Sequence, residues 1–237
     1  MNQSKKISNS MLRKIRQSGG MLLAFFIVGC VIFKPLKIAV PSELYGVERM
    51  KVGGGEKSVL FDFGPFHVFD IGESTGRVLY SDFKSSYYEI KSFEFKLNDP
   101  LGNVWECWCE YPQRSLFDER IRCTFQDDRN PAILWNLVDS TLTLDQDILT
   151  IRPYFKTVEK RRIGSTLMGY TFSSSDSVRA MVDISSARSE AIWINPNVKT
   201  NSALAIAATS SAFILKHRQL HYNQKIDDQS PGSDFGM

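Results

Sequence analysis

Short stretches in which apolar and polar residues alternate recur along most of the chain, and pairs of them flank turns rich in Asp, Asn, Gly or Ser. Alternation with a period of two is typical of a β-strand with one buried face, and such turns tolerate the backbone angles of a hairpin. Five such pairs occur, at residues 66–83, 93–111, 121–138, 141–155 and 169–184. A further strand is predicted at 191–195, where Pro196 ends it.

A different pattern follows Pro196. Residues 203–215 form an almost uninterrupted apolar run, which predicts a helix buried on all sides. Three residues can cap its start: Thr200, Asn201 and Ser202. Three residues place positive charge at its predicted C-terminal end: Lys216, His217 and Arg218. The chain is therefore predicted to be mainly β, an antiparallel hairpin-built barrel or sandwich with one buried C-terminal α-helix.

The order of these elements resembles that of the tubby, phospholipid-scramblase and LURP-one-related group. Residues 66–76 and 93–104 both show the succession of strand, Asp, Gly and strand that is common in this group. The resemblance covers roughly residues 60–216 and implies an antiparallel barrel around a central hydrophobic helix, without a catalytic or binding motif. The alternative is an ordinary β-sandwich or open barrel with a helix packed across one end.

The positive net charge of the chain comes from its N-terminus. The chain has 29 basic and 26 acidic residues. Residues 1–29 contain no acidic residue and five basic ones, namely Lys5, Lys6, Arg13, Lys14 and Arg16. Residues 30–237 therefore keep 24 basic residues against 26 acidic ones, a balance that gives no support to a nucleic-acid partner.

An apolar run at residues 21–33 follows this basic stretch. A helix of about 13 residues covers about 20 Å, less than the roughly 30 Å hydrocarbon core of a bilayer, so an export signal is favoured over a transmembrane helix. Positive charge before the run keeps the N-terminus in the cytoplasm. The rest of the chain is therefore expected on the other side of the membrane.

Within this run, Ile27-Val28-Gly29-Cys30 resembles the lipobox of bacterial lipoproteins. The resemblance implies that the sulfur of Cys30 receives a diacylglyceryl group, that the chain is cut just before it, and that the new N-terminus is often acylated. Two or three acyl chains give lasting attachment to a membrane, which a single chain does not. Because the residues after Cys30 are apolar rather than polar, an uncleaved signal anchor remains the alternative, with Cys30 as a small apolar side chain in it.

These features predict four segments: a lipoprotein signal peptide at 1–29, a tether at 30–58, a β-rich domain with its C-terminal helix at 59–221, and a flexible tail at 222–237. The protein is expected in a bacterial cell envelope, lipid-anchored to the inner or outer membrane and facing the periplasm or the exterior.

Three further cysteines lie in the part of the chain expected to be exported, where thiols tend to oxidise. Cys107 and Cys109 alternate along one strand and so point to the same face. Cys123 lies on the next apolar stretch. A disulfide from Cys123 to either of them closes a loop of about 15 residues and leaves one thiol over. A zinc site is a poor alternative, because no fourth ligand lies nearby in the sequence.

Three short motifs are incomplete. Gly72-Glu73-Ser74-Thr75-Gly76 matches G-x-S-x-G, but the next residues predict a strand where a nucleophile elbow requires a helix. His217 and His221 have the spacing of two metal ligands and lack the rest of a site. Residues 53–58 resemble a phosphate-binding loop without its first Gly and with Glu in place of the Gly before Lys.

One basic cluster lies between the fourth and fifth predicted hairpins, formed by Lys156, Lys160, Arg161 and Arg162. It is either a solvated loop or a contact to anionic lipid head groups. The expected function is non-enzymatic: an envelope lipoprotein with a binding, structural or assembly role, no metal and no cofactor, attached to the membrane by covalent lipid and able to bind an envelope protein. The alternatives are a lipid-interacting module and an exported serine hydrolase that uses Ser74.

Overall fold

The computed structural model describes residues 37–54, 60–74, 90–112, 121–129, 134–138, 140–144, 147–158, 167–175, 177–186 and 189–229. In chain order the elements are a 3₁₀ helix Ser42–Leu44, β1 Met50–Lys51, β2 Phe61–Phe63, β3 Phe66–Ser74, β4 Ile90–Asn98, β5 Val104–Pro112, β6 Arg122–Asp127, β7 Leu134–Val138, β8 Thr141–Leu144, β9 Asp147–Tyr154, β10 Gly169–Ser174, β11 Ser177–Asp183, β12 Ala191–Ile194 and α1 Thr200–Gln229.

The strands form one antiparallel sheet in the order β1-β12-β11-β10-β9-β8-β7-β6-β5-β4-β3-β2. Consecutive strands pair from β2 to β12, and β1 departs from this order by pairing with β12. The first and last strands of the order meet where the Gly53 N–H donates to the Asp62 carbonyl oxygen at 2.7 Å. The sheet is a nearly closed barrel, which confirms the predicted mainly-β fold.

Four of the five predicted hairpins are present as adjacent strand pairs: β4–β5, β6–β7, β8–β9 and β10–β11. The predicted strand at 191–195 corresponds to β12. The first hairpin differs from the prediction, because β3 continues to Ser74 and Gly72 therefore lies in a strand rather than in a turn. Its partners are β2 and β4, and residues 75–89 lie outside the described residues.

The helix α1 fills the interior of the barrel. Every residue from 204 to 216 is buried, including Thr209, Ser210 and Ser211. The apolar residues among them share one core cluster with the inward side chains of the strands. The ring of Phe213 stacks on that of Tyr170, with 3.9 Å between their centroids. Because protein surrounds the helix on all sides, its buried part has no polar face.

The helix extends beyond both predicted ends. It begins at Thr200, so that the predicted cap residues lie within its first turn, and it ends at Gln229. Residues 222–229, which were predicted to belong to a flexible tail, are helical. Lys216 and Arg218 were predicted at the C-terminal end, yet only 4% and 5% of their surface is exposed. They tolerate this position because partners inside the barrel offset the cost of burying charge.

The chain before β1 packs on the outside of the barrel. We call residues 37–48 the N-terminal strap. Its buried Leu44 shares an apolar cluster with Met181 and Trp193, on the face of β11 and β12 opposite to α1. The predicted tether at 30–58 is therefore corrected, because residues 37–54 contribute a buried strap and the first strand of the sheet.

Candidate functional site

A disulfide joins Cys109 of β5 to Cys123 of β6. The two residues lie directly opposite each other on neighbouring strands, with their Cα atoms 4.1 Å apart, and both side chains are buried. From the sequence, the partner of Cys123 could be either Cys107 or Cys109. The strand register places Cys109 opposite Cys123, whereas Cys107 lies opposite Phe125. In a chain-entropy model a crosslink across a loop of this length stabilises the fold by about 3 kcal/mol.

The remaining thiol of the barrel belongs to Cys107, which points into the core. Burial raises the pKa of Cys107 well above its usual value, and the charge of Glu106 raises it further. Its Sγ lies 3.7 Å from the carbonyl oxygen of Trp105. A protonated and buried thiol is a poor nucleophile and a poor metal ligand, so the geometry assigns Cys107 to packing.

The N-terminal strap meets the barrel at the start of the predicted basic cluster. The Ala39 N–H donates to the carbonyl oxygen of Lys156, and the Val158 N–H donates to that of Lys37, each at 3.0 Å. An isolated antiparallel bridge lies between these two hydrogen bonds. We call the two paired segments the strap ladder, residues 37–39 and 156–158.

Three side chains of the strap ladder are exposed, those of Lys37, Lys156 and Val158. Val158 keeps 61% of its surface exposed, which is unusual for an apolar side chain. The other predicted members of the basic cluster lie outside the described residues, as does the predicted lipid attachment site: Lys160, Arg161, Arg162 and Cys30. The N-terminal strap thus pairs with the segment that opens the predicted basic cluster.

A buried ion pair fixes the middle of α1 to the barrel wall. The Nε of Arg218 donates to the Glu190 carboxylate at 3.0 Å, and a second guanidinium nitrogen donates to the same carboxylate. The guanidinium also lies 4.8 Å from the ring centroid of Phe61. Glu190 stands just before β12 and is 28 residues away from Arg218 in the chain. This pair was not predicted from the sequence, because its two residues are 28 positions apart and only the fold brings them together.

Lys216 and Gln219 contact Tyr111 at the end of β5. The Lys216 Nζ lies 5.4 Å from the centroid of the Tyr111 ring, a cation–π distance. The Tyr111 hydroxyl donates to Oε1 of Gln219 at 3.0 Å. These contacts connect the second half of α1 to the end of β5.

The structure describes only parts of the incomplete motifs. Ser74 lies at the end of β3, and nothing is described of its side chain. His217 lies on α1, while the side chain of His221 is outside the described residues. Within the described ranges, no three His, Cys, Asp or Glu side chains come together as metal ligands would.

Three of the four tryptophans are buried and one is not. Trp105, Trp135 and Trp193 lie in the two core clusters, and the rings of Trp105 and Trp135 stack at 4.3 Å. Trp108 instead points outward from β5 with 47% of its surface exposed. Alternation along the strand predicts this outward direction, since Cys107 and Cys109 point inward.

Comparison with known proteins gives no relative: the chain matches no family model, no curated protein and no solved structure. Among the described residues, no helix combines the length and the apolar character that crossing a bilayer requires.

Proposed function

We propose that the protein is a lipoprotein of a bacterial cell envelope, in which acylated Cys30 holds a non-enzymatic barrel at the membrane. The observation that carries this proposal is the strap ladder, because it pairs the chain just after the leader with Lys156. The covalent lipid and the basic cluster would then act on the same bilayer, as a lipid anchor and a polybasic patch do in two-signal attachment.

The length of the connection supports this arrangement. Seven residues lead from Cys30 to Lys37, and an extended chain of that length spans at most about 25 Å. Basic residues near an anionic surface each contribute about 1 kcal/mol to membrane attachment and act within about a Debye length of it. A short connection therefore keeps the basic cluster where it can add to the lipid anchor.

The disulfide between Cys109 and Cys123 supports export. Disulfides persist in the periplasm and outside the cell, whereas cytosolic reductants keep thiols reduced. The resemblance to the tubby and scramblase group, with its hydrophobic helix inside an antiparallel barrel, is compatible with a module that acts at a membrane surface.

Metabolic labelling with a radioactive fatty acid tests the attachment site. Wild-type protein and the Cys107→Ala variant are expected to incorporate label, because Cys107 is buried and the lipidation signal is intact. Cys30→Ala is expected to lose all label. Label that persists in Cys30→Ala, or wild-type protein without label, would refute the proposal.

The exposed side chains of the strap ladder favour one second candidate, a module that itself binds anionic lipid. Flotation of Cys30→Ala protein with vesicles of phosphatidylglycerol and phosphatidylcholine separates it from a passive lipoprotein. Binding that disappears at about 0.5 M salt supports lipid contact. Replacing the four basic cluster residues by Gln is expected to abolish this binding, whereas a control with four other exposed residues replaced, Lys51, Arg122, Arg152 and Lys199, is expected to keep it.

A further inference from the structure

A groove of about 360 Å³ crosses the outer face of the sheet from β3 to β6. We call it the outer groove. Its side chains come from four strands: Asp70, Glu94, Lys96, Glu106, Trp108, Thr124 and Gln126. The backbone of β4 and β5 forms its floor, because Phe95 and Cys107 turn their side chains into the core. No feature of the lipoprotein proposal uses this surface.

Trp108 stands in the middle of the outer groove. It lies opposite Glu94 on one neighbouring strand and opposite Thr124 on the other. Nearly half of its surface is exposed, so its indole face is open to a ligand. Among aromatic side chains, Trp attracts cations most strongly, because the face of its ring carries partial negative charge. An exposed Trp between polar neighbours is therefore suited to bind a cation.

Glu94 is the charged residue directly opposite Trp108 on β4. Among the described residues, no hydrogen bond or ion pair holds the Glu94 side chain. Gly72 lies opposite Glu94, and a Cβ at that glycine would come within 2.9 Å of Oε1 of Glu94. The missing side chain at Gly72 therefore leaves the space that the Glu94 carboxylate occupies, on the β3 side of the outer groove.

A β-bulge adds a second carboxylate to the outer groove. The register shifts between Phe69 and Gly72, and Asp70 takes a left-handed backbone conformation with φ of 54°. A bulge changes the direction in which a side chain points from its strand. The Asp70 side chain at this bulge is 65% exposed. Its carboxylate lies 3.0 Å from Nζ of Lys96, while the nearest carboxylate oxygen of Glu106 lies 4.0 Å from the same nitrogen.

The charge balance of the outer groove is negative. Three carboxylates, those of Asp70, Glu94 and Glu106, face one ammonium group, that of Lys96. The hydrogen bond that Lys96 donates to Asp70, together with the charge of Asp70, raises the pKa of Lys96, so this amine is protonated at neutral pH. Two negative charges remain beside an exposed indole, which complements a positively charged ligand.

We propose that the outer groove binds a basic segment of a partner protein, with an Arg or Lys side chain lying over Trp108 and paired with Glu94. An arginine fits best, because its planar guanidinium can stack on the indole and donate two hydrogen bonds to the carboxylate at the same time. Thr124 and Gln126 supply hydroxyl and amide groups for the backbone of the segment.

Titration calorimetry on the full-length protein in detergent tests this proposal with two peptides. One alternates Gly and Arg; the other has citrulline, the uncharged isostere, in place of each Arg. The arginine peptide is expected to bind at least tenfold more tightly than the citrulline peptide. Glu94→Gln and Trp108→Thr are each expected to weaken binding of the arginine peptide by about tenfold.

Two exposed control variants lie outside the outer groove. Glu48→Gln removes one carboxylate and Val138→Thr removes one exposed apolar side chain; both are expected to bind the arginine peptide like the wild type. Equal binding of the two peptides, wild-type affinity in Glu94→Gln and Trp108→Thr, or an equal loss in Glu48→Gln would overturn the proposal. Binding of a neutral oligosaccharide in the groove that displaces the peptide would also count against a basic partner.

Discussion

At the residue scale, the carboxylate of Asp99 organises the turn between β4 and β5. One oxygen accepts the backbone N–H groups of Leu101 and Asn103, at 2.8 and 2.9 Å. The other accepts the Asn103 side-chain amide at 2.9 Å and the indole N–H of Trp105 at 3.4 Å. Burial raises the pKa of Asp99, but these hydrogen bonds outweigh burial and leave the pKa below its ordinary value.

Replacing Asp99 by Ala is expected to lower the free energy of unfolding by about 1–3 kcal/mol, because it leaves buried donors without an acceptor. A lowered pKa in the folded state means that protonation favours the unfolded state. The contribution of Asp99 is therefore present above its unfolded pKa and is lost as the pH falls through its folded pKa. Urea unfolding at pH 7 and at pH 3 checks this: the difference between the wild type and Asp99→Ala should shrink at pH 3. A difference that is equal or larger at pH 3 would contradict the assignment.

The same scale shows why the outer groove was not predicted from the sequence. Trp108, Glu94 and Asp70 lie on three different strands. Each side chain points outward from its strand, and the sequence alone predicts only that such a side chain is exposed to solvent. Their proximity depends on strand register and on a bulge, and neither can be read from a single sequence.

At the element scale, prediction succeeded where each strand has one buried and one exposed face. β6 alternates in this way along its length and β4 from Phe93 onward, and their hairpins were correctly placed. β1 and β2 have two and three residues, too few for a period to be recognised. The strap was also missed, because its buried residues follow no strand or helix period.

The central helix gives the sharpest test of the barrel interior. Ala207→Asp is expected to destabilise the protein by more than about 4 kcal/mol, because it buries an unpaired charge at a fully buried position. The matched control is Asn201→Asp in the exposed first turn of α1, where the change should stay within about 0.5 kcal/mol. Limited proteolysis and thermal unfolding measure both. An Ala207→Asp protein as resistant as the control would rule out a buried central helix.

The predicted C-terminal end of α1 was wrong for an identifiable reason. Lys216 and Arg218 look like a solvated helix end in the sequence, yet their partners are Tyr111 and Glu190 on distant strands. A charge can be buried when the fold brings such a partner to it. Sequence patterns within the helix do not contain this information.

The buried pair itself can be tested by a double-mutant cycle. Arg218→Met and Glu190→Leu are each expected to cost about 3–5 kcal/mol, because each leaves one buried charge without its partner. The double variant is expected to recover much of that loss, since no unpaired charge remains. Urea unfolding of the four proteins gives the coupling energy. Additive losses would show that the two side chains do not interact.

At the scale of the whole molecule, the N-terminal strap lies on the outside of the barrel. The strap pairs with the segment that begins the predicted basic cluster and packs over β11 and β12 before the sheet starts. The sequence predicted the barrel and its inner helix, whereas the position of the strap on the barrel required the structure. The fold alone does not specify a ligand, and the outer groove is the surface from which we infer one.

Intact mass spectrometry of the protein extracted from membranes tests the central claim, that an acylated cysteine anchors a disulfide-containing barrel in an envelope. The predicted product begins at Cys30, carries the added mass of its acyl groups, and lacks two hydrogens because of the bond between Cys109 and Cys123. Unfolding without reductant should then expose a single thiol, that of Cys107. A product that keeps Met1, has no acyl mass and contains four reduced thiols would contradict the account.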